Sequence, residues 1–424
     1  MYKNKKIGLA LSGGGYRAAA FHIGTLRAMR KLGVLDNVDV ISSVSGGSIT
    51  AAYYALHKEA DYENHLIKKL QHGVMTYAWL YFVFILLVIC GAVYYLYSCF
   101  GLLGLLVIIP ISAMLFFAWY YIFPLSTIIE HRYRRAFFGN NRLSDLPKFP
   151  TISINATDLA TSNQFYFSKH YVGSFRYGYD SFNASEFPVS KAVMASSCVP
   201  FGFSPIRIPK KFITSVFNHK ERPLLFDGGL YDNQGTHCLT DSYSRSGCDL
   251  IIASVAGNTS ISNRFTLNPF LALWKTSNVL MTRIKNIQVQ ENIYKRIYPD
   301  KHFAYIDLSW DCTERILDGF IDALLRDNIN VDVIACHNIQ TSQIQRLKNS
   351  DTTDDARNEI KQLLKQNVKW DELESLRPNA SEHSISFSVA TNLTGLSVTQ
   401  INSLVKQSEW MTYIQIRLYL PMIL

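Results

Sequence analysis

Lys6-Ile7-Gly8-Leu9-Ala10-Leu11-Ser12-Gly13-Gly14-Gly15-Tyr16-Arg17 decides how the rest of the chain is read. The apolar run at 6–12 has the length of a buried strand and is cut off by three consecutive glycines. Beyond them Ala20, Ile23, Leu26, Ala28, Met29 and Leu32 recur at helical spacing over 16–32, and Gly33 ends the pattern. A second short apolar strand, 38–42, turns at Ser43-Val44-Ser45-Gly46-Gly47-Ser48 into a helix through His57. Further strands are expected at 151–156, 250–256 and 303–308, with helical patterns over 268–296, 314–326, 354–377 and 397–407. Strands alternating with helices predict an α/β sandwich with a mostly parallel central sheet.

One segment breaks this pattern. Residues 70–129 contain no Asp, Glu, Lys or Arg, although the chain carries 42 basic and 33 acidic residues. Two apolar runs, 76–98 and 101–123, would each span about 34 Å as helices, enough for a ~30 Å hydrocarbon core. Their aromatics fall into three groups: Tyr77, Trp79 and Tyr81; Tyr94, Tyr95, Tyr97 and Phe100; and Trp119, Tyr120 and Tyr121. Folded as a hairpin, the first and third groups share one interface and the second lies at the other, the aromatic-belt arrangement. Lys68 and Lys69 precede the pair and Arg132, Arg134 and Arg135 follow it, so the positive-inside rule puts both flanks in the cytoplasm. Pro110 is expected to kink the second span. A buried helical hairpin, a dimerisation element and a hairpin lying in one leaflet are the other readings.

Composition narrows the function. With 48 % hydrophobic and 18 % charged residues, the chain is too apolar to be disordered. Its net charge of +9 fits nucleic acid or an anionic lipid surface. No zinc-finger spacing, basic zipper or basic-aromatic run is present, so anionic lipid is the simpler partner and no nucleic acid is expected. Seven scattered cysteines without a CxxC pair argue against a disulfide framework and a structural zinc site. The apolar stretch after Lys5-Lys6 is too short for a signal peptide, and both termini are expected in the cytoplasm.

Three motifs carry chemistry. Gly13-Gly14-Gly15-Tyr16-Arg17 can turn backbone N–H groups toward an anion or oxyanion at a helix N-terminus. It also satisfies a dinucleotide pattern through Gly13, Gly15 and Ala18, but that pattern needs an acid closing the second strand. Asp39 opens that strand instead. Ser43-x-Ser45-x-Gly47 is close to the nucleophile elbow G-x-S-x-G, with Ser43 in place of the first glycine. Asp227-Gly228-Gly229 places an aspartate ahead of two glycines, where it could take a proton from a serine directly. His22, His237 and His302 sit in no recognisable triad setting and are read as structural. The basic stretches 207–211 and 220–222 are either head-group contacts or a solvated face.

Together these motifs resemble the bacterial patatin-like phospholipases, lipid acyl hydrolases with a Ser-Asp dyad. Two further blocks appear in family order: Asn155-Ala156-Thr157-Asp158-Leu159, and Ala195-Ser196-Ser197-Cys198-Val199-Pro200 with Pro205. Asp232-Asn233-Gln234-Gly235 resembles the DNxG tail. The resemblance covers about 5–69 and 145–257; the apolar hairpin departs from it. It implies a patatin-like three-layer sandwich divided as 1–69, a hairpin at 70–129, 130–310, and a helical C-terminal region at 311–424.

The resemblance also implies roles. Ser45 is the nucleophile, Asp227 its base, and Gly13, Gly14 and Gly15 the oxyanion turn, with Arg17, Gly47, Gly228 and Gly229 in support. No metal and no cofactor are implied. The expected substrate and partner is membrane phospholipid, at a bacterial inner membrane crossed by two spans, with a homo-oligomer possible. A non-catalytic membrane scaffold or sensor, and a signal-activated membrane-damaging effector of a defence system, are the competing functions.

Overall fold

The structure is a computed structural model describing residues 5–58, 61–200, 202–217, 222–241, 244–257, 269–310, 312–349 and 351–424. In chain order it begins with β1 (Ile7–Leu11), α1 (Gly15–Lys31), β2 (Val40–Val44), α2 (Gly46–Leu56) and α3 (Tyr62–Leu70). The apolar insert supplies α4 (Met75–Phe100), α5 (Ile108–Phe117) and α6 (Trp119–Ile122), and α7 (Leu125–Tyr133) returns to the body. Next come β3 (Thr151–Asp158), β4 (Asn163–Phe167), β5 (Val172–Gly173), α8 (Val189–Ser197), β6 (Ile206–Arg207) and β7 (Leu224–Asp227). After α9 (Gly229–Asp232) and α10 (His237–Thr240) follow β8 (Leu250–Val255), α11 (Pro269–Val289) and β9 (His302–Asp307). The chain closes with α12 (Arg315–Leu325), α13 (Val331–Cys336), α14 (Thr341–Lys348), α15 (Thr353–Val368), α16 (Trp370–Ser375), α17 (Ala380–Ser388) and α18 (Val398–Tyr419).

The sheet is mixed rather than mostly parallel. Strands β3, β2, β1, β8 and β9 lie side by side in parallel, whereas β4, β5, β6 and β7 all pair antiparallel. The reason is local: Asp158 pairs with Asn163, so only a tight turn joins β3 to β4, and such a turn can form only an antiparallel hairpin. The parallel centre is buried on both faces, which explains why β1 and β8 read as apolar runs without polar alternation.

Two expected helices differ in extent. The 354–377 pattern divides at Lys369, whose left-handed backbone (φ 56°) ends α15 and starts α16. The 397–407 pattern runs on to Tyr419 as α18. Residues 410–416 are buried all round, so the amphipathic period that marks a surface helix is missing there. Helix α18 packs along α1 so closely that a Cβ on Gly24 would stand 2.1 Å from the Val405 carbonyl oxygen. The C-terminal helix thus belongs to the main core, in one apolar cluster with β1, β8 and α1.

The apolar insert folds back on itself. The Tyr81 hydroxyl donates to the Ile122 carbonyl at 3.2 Å, and the Tyr81 and Phe123 rings stack at 5.8 Å. At the other end a Cβ on Gly104 would meet the Leu96 carbonyl oxygen at 2.3 Å. Among the described residues one helical segment, Tyr62–Phe117 with α4 at its centre, is long and apolar enough to cross a membrane, and only 6 % of its most apolar window is buried. The return run is broken into a 3-10 segment (Gly101–Val107), α5 and α6. Gly101 at φ 59° ends the first helix. Pro110 lies in the first turn of α5, just after the span changes from 3-10 to α geometry.

Candidate active site

The site forms where β1 and β2 end side by side, with Leu11 in register with Ser43. Ser45 occupies the single residue between β2 and α2, at φ 49° and ψ −117°. Such a conformation costs a non-glycine residue about 1–3 kcal/mol and holds only where its surroundings enforce it. Here they do. A Cβ on Gly46 would lie 2.0 Å from the Gly15 carbonyl oxygen, and one on Gly47 2.3 Å from that of Leu11. The elbow and the glycine turn are in backbone contact, which side chains at these two positions would prevent.

The elbow is also pinned from below. Ser45 N–H donates to Ser196 Oγ at 2.9 Å, and that hydroxyl donates to the Asn155 carbonyl at 2.6 Å. Ser48 Oγ stands 3.0 Å from the same oxygen. The two ordered blocks around Asn155 and Ser196 therefore meet under Ser45. Sequence reading named both blocks without finding this task; the hydroxyl at Ser196 was the available signal. Ser43 is fully buried; it donates to the Ser153 carbonyl at 3.2 Å and accepts from Ser48 Oγ at 3.2 Å.

Asp227 ends β7, opposite Ala156 of β3, and its N–H donates to the Cys198 carbonyl at 2.9 Å. The Ser45 hydroxyl lies close enough to its carboxylate to act on it. Gly229 N–H donates to Oδ1 at 2.7 Å, while Gly228 N–H goes to the Ser196 carbonyl at 3.3 Å. Burial pushes the Asp227 carboxyl up to about 6, against the smaller downward pull of the Gly229 bond and the Ser45 hydroxyl. Burial, and secondly the Asp227 charge, push the neighbouring Cys198 thiol well above its usual range, so it stays protonated.

The glycine turn joins β1 to α1, and one of the three expected oxyanion donors is already engaged. Gly13 N–H donates to the Asn233 carbonyl at 2.9 Å, so it is committed to the DNxG turn rather than to a reacting oxygen. Gly14 and Gly15 have positive φ (144° and 60°), and among the described residues no acceptor takes their N–H groups. They stand at the N-terminus of α1, where the helix dipole favours negative charge. Arg17 is buried behind them. Its Nη1 donates to the Val389 carbonyl at 3.2 Å, and burial lowers its pKa to about 10.

A C-terminal strap that sequence reading missed covers this turn. Tyr16 N–H donates to the Asn392 carbonyl at 2.9 Å, and Leu396 N–H donates to that of Leu70. A Cβ on Gly15 would strike the Asn392 oxygen at 2.3 Å. Residues 389–396 thereby tie the glycine turn to the foot of the apolar hairpin. The second foot is close as well. Ser126 Oγ donates to the Ser204 carbonyl at 2.5 Å, and Tyr120 lies within electrostatic reach of Cys198.

No histidine hydrogen-bonds Ser45 or Asp227 among the described residues. His22 is buried between Ser254 Oγ (2.8 Å) and the Ser12 carbonyl (2.9 Å), and burial lowers its pKa to about 4. His237 packs its ring on Tyr231, and His302 opens β9 beside Lys5. In the basic stretches, Lys211 lies over the Phe212 ring at 4.9 Å, Arg222 donates to the Ile208 carbonyl, and Lys220 falls outside the described residues. Among the described residues no His/Cys/Asp/Glu group could hold a metal ion.

A serine on a strained strand-to-helix elbow, set beside a buried aspartate and a glycine turn, is the arrangement of a serine acyl hydrolase. A sequence model described as patatin-like phospholipase matches residues 9–237, more than half of the chain, and the chain belongs to that family. No curated protein matches it. Among solved structures, VipD from Legionella pneumophila is 13 % identical, over 96 % of this chain and 91 % of that one, with a TM-score of 0.33. Human GIVD cytosolic phospholipase A2, in complex with methyl gamma-linolenyl fluorophosphonate, is 13 % identical over 97 % of this chain, with a TM-score of 0.43. This chain spans 57 % of that human protein. ExoU of Pseudomonas aeruginosa, in complex with SpcU, is 16 % identical over 95 % of this chain and 76 % of that one, with a TM-score of 0.22.

Proposed function

We propose that this protein is a membrane-anchored phospholipase A or lysophospholipase that hydrolyses fatty acyl esters through a Ser45–Asp227 dyad. The observation that carries this reading is the strained Ser45 set beside a buried carboxylate whose pKa burial raises to about 6. A base poised just below neutral pH is ionised when it meets substrate yet basic enough to accept a proton. Asp227 takes the hydroxyl proton as Ser45 Oγ attacks the ester carbonyl. The developing oxyanion is met by the N–H groups of Gly14 and Gly15, each worth about 3–4 kcal/mol in comparable sites. The proton passes to the departing alcohol, leaving an acyl-serine. Water, deprotonated by Asp227, then releases the fatty acid and restores Ser45.

The hairpin supports the choice of substrate. It exposes Leu87, Leu102, Ile109, Phe117 and many other apolar side chains as one surface. Soluble monomers rarely expose apolar patches beyond a few hundred Å2, and lipid is the cover that fits. In this reading both flanks and both termini lie on the cytoplasmic side, and the dyad opens beside the hairpin feet. Fatty-acid release from mixed phospholipid vesicles, resolved by mass, tests the proposal against a Ser45→Ala control. Release by the native chain alone is expected; equal release by both would overturn it.

A further inference from the structure

At the edge of the sheet, among β9, the turn after α11, α12 and the C-terminal end of α18, lies a cavity of about 610 Å3. Small-molecule sites are typically about 300–1,000 Å3. None of the dyad or glycine-turn residues lines it.

Its walls have two characters. Ile293, Ile316, Ala323, Ile329 and Val333 are aliphatic, with Trp310 among them. Arg296, Lys301 and Arg326 supply three cations. Arg296 and Lys301 donate only to the backbone carbonyls of Asp327 and Cys248, and none of the three pairs with a carboxylate among the described residues. The acid in the wall, Asp322, is already engaged by Arg357 at 2.8 Å. Positive charge is therefore left uncompensated around an apolar space.

Two further observations point to an occupant. His302 is 5 % exposed, and its Nδ1 has no partner. Lys5 Nζ at 3.3 Å, the Asn330 amide at 3.4 Å and Asp332 Oδ2 at 3.8 Å all gather at Nε2, which leaves Nδ1 as the buried ring nitrogen without a partner. Gly319 lies in the middle of α12 and in the cavity wall, where a Cβ would meet nothing within 4 Å. Packing does not require glycine there, and a mid-helix glycine costs about 0.5–1 kcal/mol relative to alanine. Gly319 is exposed, so the space it leaves open lies at the cavity mouth.

An apolar space ringed by unpaired cations fits an amphiphile with one chain and one negative charge. We propose that this cavity binds a free fatty acid, its carboxylate held by Arg296 and Arg326 and its acyl chain lying along the aliphatic wall. The choice of a fatty acid rests on the acyl-hydrolase reading above; the fit to an anionic amphiphile does not.

The test uses the full chain carrying Ser45→Ala in lipid nanodiscs, with cis-parinaric acid as a fluorescent probe. Saturable binding is expected, displaced by oleate and not by neutral monoolein. Gly319→Phe, which fills open space without a clash, and separately Arg296→Glu with Arg326→Glu, should each weaken probe binding by about tenfold or more. Probe affinity unchanged by Gly319→Phe, or displacement by monoolein as strong as by oleate, would overturn the site. Displacement by lysophosphatidate well ahead of oleate would overturn the fatty-acid assignment. Binding needs no turnover, so oleate binding in a chain whose Ser45 form hydrolyses no ester would uphold the site and reject the catalytic reading.

Discussion

Tyr16 gives its backbone N–H to the Asn392 carbonyl at 2.9 Å, joining the start of the first helix to a strap from the far end of the sequence. The bond lies directly beside the two glycine N–H groups that face the reacting carbonyl in the proposed chemistry. Gly15→Ala places a methyl 2.3 Å from the Asn392 oxygen, on a backbone whose φ of 60° already disfavours it. Soluble-ester turnover should fall by about 100-fold, the scale of one lost oxyanion donor. Retained activity in the folded variant would mean that the strap does not position the turn.

The assignment of nucleophile separates two serines on one turn. Ser45→Ala should abolish hydrolysis and fluorophosphonate labelling. Ser43→Ala removes a buried bond to the Ser153 carbonyl, so it should cost about 0.5–1.5 kcal/mol of stability and leave labelling intact. Mass mapping of the labelled peptide checks both, and a label on Ser43 would reverse the assignment.

Asp227 sets the pH response. With its carboxyl raised to about 6, kcat/KM for a soluble ester should rise through that pH with a slope of one proton and level off above it. Stability should move the other way. The unfolded carboxyl ionises near 3.8 while the folded one keeps its proton to about 6, so this group's contribution is fullest below 3.8 and is lost as pH climbs to 6. Asp227→Asn should therefore lower activity by about 100- to 10,000-fold while leaving Tm at pH 7.5 unchanged or higher. His237→Ala and His302→Ala should keep most activity; a collapse in either folded variant would argue for a triad.

None of the residues proposed for the chemistry lies within the hairpin, although its feet stand near the site. Replacing residues 76–123 by a short Gly/Ser linker should give a chain that needs no detergent and still cleaves a soluble short-chain ester. Activity on vesicles should drop strongly, because anchoring no longer raises the local lipid concentration. Loss of soluble-ester activity in the folded deletion variant would show that the hairpin builds part of the site.

What the sequence reveals here is local. The strand 6–12, the elbow at Ser45 and the Asp227 turn are legible because each needs a fixed residue type within a few positions. The strap at 389–396 is not, since its bonds come from backbone carbonyls that any side chain would supply. The commitment of Gly13 to Asn233 is hidden for the same reason: two turns distant in sequence compete for one N–H. Strands β4 to β7 escaped because they are short and partly edge-placed, and with them the antiparallel side of the sheet.

Arg132 stacks over the Tyr77 ring at 3.6 Å, so the chain leaves the body and returns to it at neighbouring points. An excursion with touching ends can be lengthened, shortened or removed without rethreading the sheet, because the pairing of β2 with β3 spans its root whatever lies beyond. The insert is thus a detachable module. Its length between Gly73 and Pro124 is free to vary while the sheet and the elbow it departs from keep their pairing.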